Sequence, residues 1–280
     1  MDNLFRRTIT GVFIVVFTLG GFWLHPVSYF FTGLVILVGT MTEYYQMLKS
    51  TGIRPRITGG IITGVVVYTL STLVSAGYLP ARYLLTIVPL GIFLMISELY
   101  RKQDRPFDSL AHTFFPLFYL AVPVSLMPFS AFSQSGLQAL LPHGSLVFSP
   151  GLIIGFFVLL WVNDSAAYLA GSTLGRHRLM ERISPKKSWE GFFGGLIFSI
   201  AVAWLLSGWF GVVDTNRWLI IAVIIPVAGT FGDLFESMLK RSLGVKDSGN
   251  IMPGHGGFLD RFDSAVISFP LVLLFVLFFG

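Results

Sequence analysis

Nine apolar runs follow one another along the chain, separated by short polar stretches. A helix needs roughly 20 residues to cross about 30 Å of hydrocarbon, and each run approaches that length. The runs cover residues 8–25, 27–48, 57–77, 82–99, 109–129, 150–171, 189–209, 217–238 and 263–279. The pattern therefore predicts an all-α, polytopic integral membrane protein with about nine transmembrane helices.

The charges along the chain predict how these helices are oriented. Lys and Arg concentrate in the cytoplasmic segments of membrane proteins. With the N-terminus in the cytoplasm, seventeen of the nineteen Lys and Arg residues fall in inner segments, and only Arg82 and Arg217 lie outside. We therefore expect a cytoplasmic N-terminus, a C-terminus outside, and cytoplasmic loops at 172–188 and 239–262. The net charge of +5 follows from this topology, so binding to nucleic acid is not expected.

Composition supports the membrane assignment and narrows the chemistry. The chain is 54% hydrophobic and only 12% charged, whereas soluble domains carry about 25% charged residues. It contains no cysteine, which excludes disulfides, thiolate nucleophiles and cysteine-type zinc sites. Small residues in two runs predict close helix packing. They are Gly59, Gly60, Gly64, Gly191, Gly194 and Gly195.

Most of the candidate chemistry lies in residues 232–264, between two apolar runs. Carboxylates so close to hydrocarbon are costly, so they indicate a functional site. The acidic residues of this segment are Asp233, Glu236, Asp247, Asp260 and Asp263. Its basic residues are Lys240, Arg241, Lys246 and Arg261. Helical spacing places Asp233, Glu236, Ser237 and Lys240 on one face of the eighth span.

The same segment favours a magnesium and polyphosphate site over a zinc site. Its glycine-rich loop would let backbone N–H groups approach an anion closely. Mg²⁺ takes one or two carboxylates together with phosphate oxygens, and nearby lysines neutralise the remaining charge. His255 has no close histidine or cysteine partner in the sequence, which argues against zinc.

The sixth and seventh spans supply further polar residues. Asn163 and Asp164 interrupt an apolar run, and a buried acid beside an amide indicates a ligand or a member of a polar network. Lys186, Lys187 and Ser188 precede a predicted helix N-terminus, where a phosphate can be anchored. Cytoplasmic topology alone would also place lysines there, so these two lysines keep both interpretations.

Two acids lie in the first half of the chain, near predicted cytoplasmic helix ends. Glu43 stands beside Tyr44 and Tyr45, and Glu98 stands beside Tyr100. We expect both carboxylates to extend to the membrane–water interface rather than to belong to the site.

The residues 237–263 read SMLKRSLGVKDSGNIMPGHGGFLDRFD. This run resembles the defining motif of the phosphatidate cytidylyltransferases (CDP-diacylglycerol synthases). Its spacing of Lys-Arg, Lys-Asp, His-Gly-Gly and Asp-Arg-x-Asp is long and specific. The upstream segments NDSAAYLAG at 163–171 and SPKKSWEG at 184–191 are also similar to that family, and they occur in the expected order. The resemblance covers about 163–263, and the first five spans match in general character.

The resemblance implies an enzyme that joins CTP to phosphatidic acid, giving CDP-diacylglycerol and pyrophosphate for phospholipid biosynthesis, with Mg²⁺ required. It implies metal ligands at Asp233, Asp260 and Asp263. It implies catalytic roles for Asp233, Asp260, Lys240, Asp247 and His255. It implies substrate-binding roles for Asn163, Asp164, Lys186, Lys187, Ser188, Arg241, Lys246 and Arg261. A homodimer is a further implication, and whether a monovalent cation such as K⁺ shares the site stays open.

The resemblance also divides the chain by role. Residues 1–149 are expected to form the N-terminal membrane helices, and 150–280 the catalytic helices with both large cytoplasmic loops. We expect the protein in a bacterial inner (cytoplasmic) membrane, with its active site facing the cytoplasm.

Two other functions fit part of the pattern. A related CTP-dependent polyprenol kinase would transfer the γ-phosphoryl group to a lipid alcohol, but the full match over 237–263 favours nucleotidyl transfer. An ion-coupled transporter would bind cations with intramembrane acids and would show internal repeats. No repeat is evident, and the acids cluster at cytoplasmic helix ends.

Overall fold

The computed structural model describes residues 2–132, 148–249 and 256–279, with the side chains of 2–7 and of residue 50 left out. Helices dominate this part of the chain. The α-helices are α1 (Asp2–Leu24), α2 (Pro26–Met47), α3 (Ile57–Ser75), α4 (Ile87–Leu99), α5 (Pro106–Pro116), α6 (Val122–Leu126), α7 (Gly151–Leu174), α8 (Trp189–Ser207), α9 (Thr215–Ser242) and α10 (Leu259–Phe279). The strands β1 (Arg178–Met180) and β2 (Ser184–Ser188) form a small antiparallel hairpin.

Within the described ranges, eight helical segments are long and apolar enough to cross a membrane. The first predicted span corresponds to a shorter apolar stretch, Thr8–Leu24, within α1. The all-α, multi-pass class is therefore confirmed. The fifth span is irregular: α5 ends at Pro116, and a π-helical turn, Leu117–Ala121, leads into α6. Proline has no N–H to donate, so regular hydrogen bonding is interrupted there.

The chain forms two compact units. The first contains Met1–Phe148 together with Asp247–Phe262, and the second contains Ser149–Lys246 together with Asp263–Gly280. Helix α10 thus contributes its first turn to one unit and its remaining turns to the other. The predicted restriction of catalysis to 150–280 stays a prediction.

Buried tyrosines organise the first unit. Tyr29, Tyr45 and Tyr68 are almost completely buried, and each hydroxyl donates to a backbone carbonyl. Tyr29 Oη, for example, lies 2.7 Å from the carbonyl oxygen of Met127. Buried phenols need such partners because an unpaired hydroxyl in an apolar core is costly. The bonds of Tyr29 and Tyr45 tie α2 to the irregular fifth span, and the bond of Tyr68 ties α3 to Phe30 on α2.

Small residues let α7 and α8 pack with their backbones in close approach. A Cβ atom at Gly195 would lie 2.9 Å from the carbonyl oxygen of Asn163 and 3.1 Å from Ala167 Cβ. A Cβ atom at Gly191 would lie 2.8 Å from the carbonyl oxygen of Ala167. The close packing predicted for these glycines is therefore confirmed, and it is typical of membrane helices.

The segment 172–188, predicted as a cytoplasmic loop between two spans, contains the β1–β2 hairpin, which the sequence analysis did not predict. Glu190 in the first turn of α8 fixes it: its carboxylate accepts the backbone N–H groups of Arg176 (3.1 Å) and His177 (3.2 Å). It also lies 2.6 Å from His177 Nδ1. An acid at a helix N-terminus is favoured by the helix dipole, so one carboxylate serves both the helix and the hairpin.

Gly195→Ala should destabilise the second unit because its methyl group would overlap the backbone of α7. We expect a loss of about 1–3 kcal/mol, measured as a lower thermal unfolding midpoint of the purified protein in detergent. Gly20→Ala in α1 is the control, since among the described residues no heavy atom outside its own stretch of α1 lies within 4 Å of its Cβ position. Equal midpoints for the two variants would contradict the close packing.

Glu190→Ala should loosen the hairpin because two backbone donors and His177 lose their acceptor. Trypsin should then cleave at the exposed Arg182, in the turn between the strands, about threefold faster or more. Glu190→Gln keeps an acceptor oxygen and should stay near the wild-type rate. An unchanged rate for Glu190→Ala would show that this carboxylate does not hold the hairpin.

Candidate active site

A close approach of α9 and α10 brings acidic residues together in the second unit. A Cβ atom at Gly232 would lie 2.8 Å from the carbonyl oxygen of Asp263 and 2.9 Å from Ser264 Cα. Only glycine fits this crossing. Asp233 follows directly on α9, one residue from this close approach.

Three carboxylates gather at this crossing. Asp233, Glu236 and Asp263 each offer one oxygen, and these three oxygens lie within 4.8 Å of one another. Asp263 and Glu236 are 7% and 1% exposed, while Asp233 is half-buried. Asp233 and Asp263 were predicted as metal ligands from the sequence. Glu236 was predicted to share their helix face, but it was not among the predicted ligands.

Two lysines offset part of this negative charge. Lys187 Nζ lies 2.5 Å from Asp233 Oδ2, and Lys240 Nζ lies 2.7 Å from Glu236 Oε2. Asp164, on α7, also interacts electrostatically with Asp263. The three clustered carboxyl groups and Asp164 outnumber the two ammonium groups. Such a site attracts a cation.

The hairpin distinguishes the two neighbouring lysines that the sequence left equivalent. Lys186 and Lys187 lie on β2 where its pairing with β1 is irregular, and a bulge of this kind redirects side chains. Lys187 is directed to Asp233, whereas Lys186 is exposed. Of the two, only Lys187 contacts the carboxylate cluster in the structure.

The other predicted residues of the second unit occupy varied places. Ser188 is buried and caps α8, since its Oγ accepts the N–H of Gly191 at 3.1 Å. Asn163 is buried and its Nδ2 donates to Asp164 Oδ1 at 3.3 Å. Arg241 and Lys246 are exposed. Their predicted substrate contacts stay predictions.

In the first unit, the predicted ligand Asp260 accepts hydrogen bonds from both ends of the motif loop, residues 248–258 before α10. Its Oδ2 accepts the N–H of Gly257 at 2.8 Å and that of Ser248 at 3.4 Å. Asp247 and Arg261, which adjoin Ser248 and Asp260 in the sequence, are exposed to solvent. His255, a predicted catalytic residue, lies outside the described residues.

The expectation for Glu43 and Glu98 was wrong. Both are buried, at 0% and 3% exposure, rather than extended to an interface. Glu98 Oε2 pairs with Arg56 Nε and Arg101 Nη1, each at 3.1 Å. Glu43 Oε2 accepts one hydrogen bond from Ser248 and one from Leu259, the first residue of α10. Burial of these carboxylates is compensated by specific donors, which sequence spacing alone could not reveal.

Comparison with known proteins extends this description to the whole chain. A sequence model of the cytidylyltransferase family matches residues 5–279. Proteins named phosphatidate cytidylyltransferase from Staphylococcus epidermidis and Staphylococcus haemolyticus are each 46% identical over 122 residues, and one from Staphylococcus aureus is 47% identical over 122 residues. The aligned part covers 43% of this chain and 46% of each relative, so the chain spans about half the length of the relatives it matches.

The family match extends over nearly the entire sequence, including both segments that supply the carboxylates and lysines described above. This multi-pass membrane protein with bacterial relatives therefore belongs to the cytidylyltransferase family.

Proposed function

We propose that this protein transfers the cytidylyl group of CTP to phosphatidic acid, giving CDP-diacylglycerol and pyrophosphate. The observation that carries the proposal is the cluster of Asp233, Glu236 and Asp263 with its two lysines, at helix ends of a membrane protein. Membership of the cytidylyltransferase family and the names of the staphylococcal relatives support the choice of substrates.

The cluster fits Mg²⁺ by its chemistry and its dimensions. Mg²⁺ prefers hard oxygen donors at about 2.1 Å, so ligands on opposite sides of the ion lie about 4.2 Å apart. The three carboxylate oxygens, within 4.8 Å of one another, need only small movements to reach that spacing. We propose that Asp233, Glu236 and Asp263 hold Mg²⁺, and Asp260 stays a predicted ligand.

The protein's part in the reaction is alignment and neutralisation of charge. An oxygen of the lipid phosphate attacks the α-phosphorus of CTP, the bond between the α- and β-phosphates breaks, and pyrophosphate leaves. The attacking phosphate is already anionic, so no strong general base is needed. Lys187 and Lys240 are placed to share their charge between the carboxylates and the substrate phosphates, which lowers the barrier to bringing anions together. Bound Mg²⁺ supplies further electrostatic stabilisation of the phosphate oxygens.

The membrane setting follows from the same proposal. CTP is cytoplasmic and phosphatidic acid is a membrane lipid, so the site should open to the cytoplasm and to the bilayer. The distribution of Lys and Arg supports a cytoplasmic N-terminus, and the bacterial relatives support our proposal of a bacterial inner membrane. Formation of a homodimer stays a prediction.

The proposed reaction is tested with purified protein, Mg²⁺, phosphatidic acid and CTP labelled on the α-phosphorus. We expect label in a chloroform-soluble lipid with an equal amount of released pyrophosphate. Asp263→Asn should lower the rate by at least about 100-fold, because it removes one of the three carboxyl groups proposed to hold Mg²⁺. Label transferred only from γ-labelled CTP to a polyprenol would replace the proposal with a lipid kinase, and no transfer from either nucleotide would reject both.

Lys187→Ala and Lys186→Ala form a matched pair for the charge argument. Removing Lys187 leaves Asp233 without its ion-pair partner, so we expect a loss of roughly 10-fold to 100-fold in kcat/KM for CTP. Lys186 is exposed and its removal should change kcat/KM less than about threefold. Equal losses for the two variants, measured by initial rates at saturating phosphatidic acid, would contradict the distinction made by the hairpin.

A further inference from the structure

Glu43 on α2 contacts a segment of the motif that is more than 200 positions away in sequence. Its Oε2 accepts a hydrogen bond from Ser248 Oγ at 3.0 Å and another from the backbone N–H of Leu259 at 2.8 Å. Ser248 begins the motif loop, and Leu259 is the first residue of α10. One carboxylate oxygen thus joins the start of the loop to the start of the last helix.

The loop ends also pack directly against the face of α2 that carries Glu43. A Cβ atom at Gly39, one turn earlier, would lie 2.9 Å from the ring of Phe258. A Cβ atom at Gly257 would lie 2.6 Å from Glu43 Oε2, and one at Gly249 would lie 2.5 Å from Glu43 Oε1. The positions i and i+4 of a helix share a face, so Gly39 and Glu43 together form the surface that receives the loop ends.

The same loop ends hold Asp260. Its Oδ2 accepts N–H groups from Ser248 and Gly257, the residues that lie against Glu43. Glu43 therefore fixes the backbone that in turn fixes Asp260. Two carboxylates bind the loop ends: Asp260 from within the motif and Glu43 from another helix.

Burial of Glu43 has an energetic cost that packing does not explain. Its side chain is fully buried, and Oε1 has no hydrogen-bond partner among the residues that the structure describes. Burying a carboxylate with one oxygen that accepts no hydrogen bond costs more free energy than burying an apolar side chain of similar size. What the carboxylate supplies is an acceptor for Ser248 and for the N-terminus of α10, where negative charge is also favoured by the helix dipole.

We infer that Glu43 is a positioning residue for cytidylyl transfer, acting through the loop ends Ser248, Gly257 and Leu259 on Asp260. The inference rests on the proposed function and adds a residue from the first half of the chain to it. Glu43 does not touch the reacting atoms. It sets the position and direction of the Asp260 carboxylate, and small misplacements of such groups have large kinetic effects.

The test uses Glu43→Met, which keeps the volume but removes the acceptor, and Glu43→Gln, whose amide oxygen can still accept both hydrogen bonds. We expect Glu43→Met to lower kcat by roughly 10-fold to 100-fold and to raise the Mg²⁺ concentration for half-maximal rate, with KM for phosphatidic acid changed less than about twofold. Glu43→Gln should restore most of the activity. A purely structural role would lower the unfolding midpoint of Glu43→Met and leave kcat of the folded protein unchanged, which would overturn the inference.

Thr40→Val is the matched control on the same helix. Thr40 is fully buried, and its hydroxyl bonds only within α2, to the carbonyl oxygens of Ile36 (2.8 Å) and Leu37 (3.0 Å), among the described residues. This isosteric loss of a buried polar group should leave kcat and the Mg²⁺ dependence within about twofold of wild type. A loss equal to that of Glu43→Met would mean that any polar deletion in α2 has the same effect, and the inference would fail.

A second readout does not depend on activity. Lys246 is exposed immediately before the motif loop, so release of the loop ends should speed trypsin cleavage after Lys246 in Glu43→Met, while cleavage at Arg182 in the hairpin stays unchanged. If wild-type protein makes no CDP-diacylglycerol, the proposed function fails, and this cleavage alone decides whether Glu43 holds the loop.

If Glu43→Met does not fold, Ser248→Ala removes one of the two hydrogen bonds and should lower kcat by about threefold to tenfold. Wild-type kinetics and cleavage for Ser248→Ala would then overturn the inference.

Discussion

Charge buried inside an apolar helical body is the constraint on which this structure depends. A carboxylate among apolar helices persists only with nearby cations or hydrogen-bond donors. In the second unit, Asp233 and Glu236 pair with Lys187 and Lys240. In the first unit, Glu98 pairs with two arginines, and Glu43 accepts a hydrogen bond from the backbone N–H of Leu259. Each unit therefore compensates its own acids, and the acids determine where the polar segments of the chain must lie.

Close helix approach is what lets these compensating groups meet. Lipid offers no hydrophobic drive for one helix to bind another, so packing and polar contacts must provide the association. At Gly232 the backbone of α10 occupies the place that a side chain would fill, and the two acid-bearing helices come together. Gly191 and Gly195 of α8 likewise let the backbone of α7 approach closely. Small residues at the crossings and charged residues beside them are thus parts of one arrangement.

Sequence patterns were sufficient for the helices and for the local part of the site. Hydropathy located the spans, and spacings of three and four on α9 placed Asp233, Glu236 and Lys240 together, as the ion pair of Lys240 bears out. Periodicity carries no information about partners far along the chain, so the contact of Glu43 with Leu259 could not be foreseen. The hairpin was missed because its strands are three and five residues long and lack alternating apolar positions. Glu190 was the one sequence signal for the hairpin, because an acid at the start of a helix can accept hydrogen bonds from the backbone that precedes it. Here it accepts them from the N–H groups of Arg176 and His177.

The hairpin has a consequence for how the chain can change length. Lys187 reaches Asp233 from β2, whose five residues pair with only three on β1 in an irregular register. The extra residues of β2 form a bulge, and a bulge redirects the side chains that it carries. An insertion or deletion of one residue in β2 would change this bulge and turn Lys187 away from Asp233. The turn at 181–183 lies outside the paired residues, so added residues there would disturb Lys187 less. Tolerance to insertion in this segment thus depends on where a residue is added rather than on how many are added.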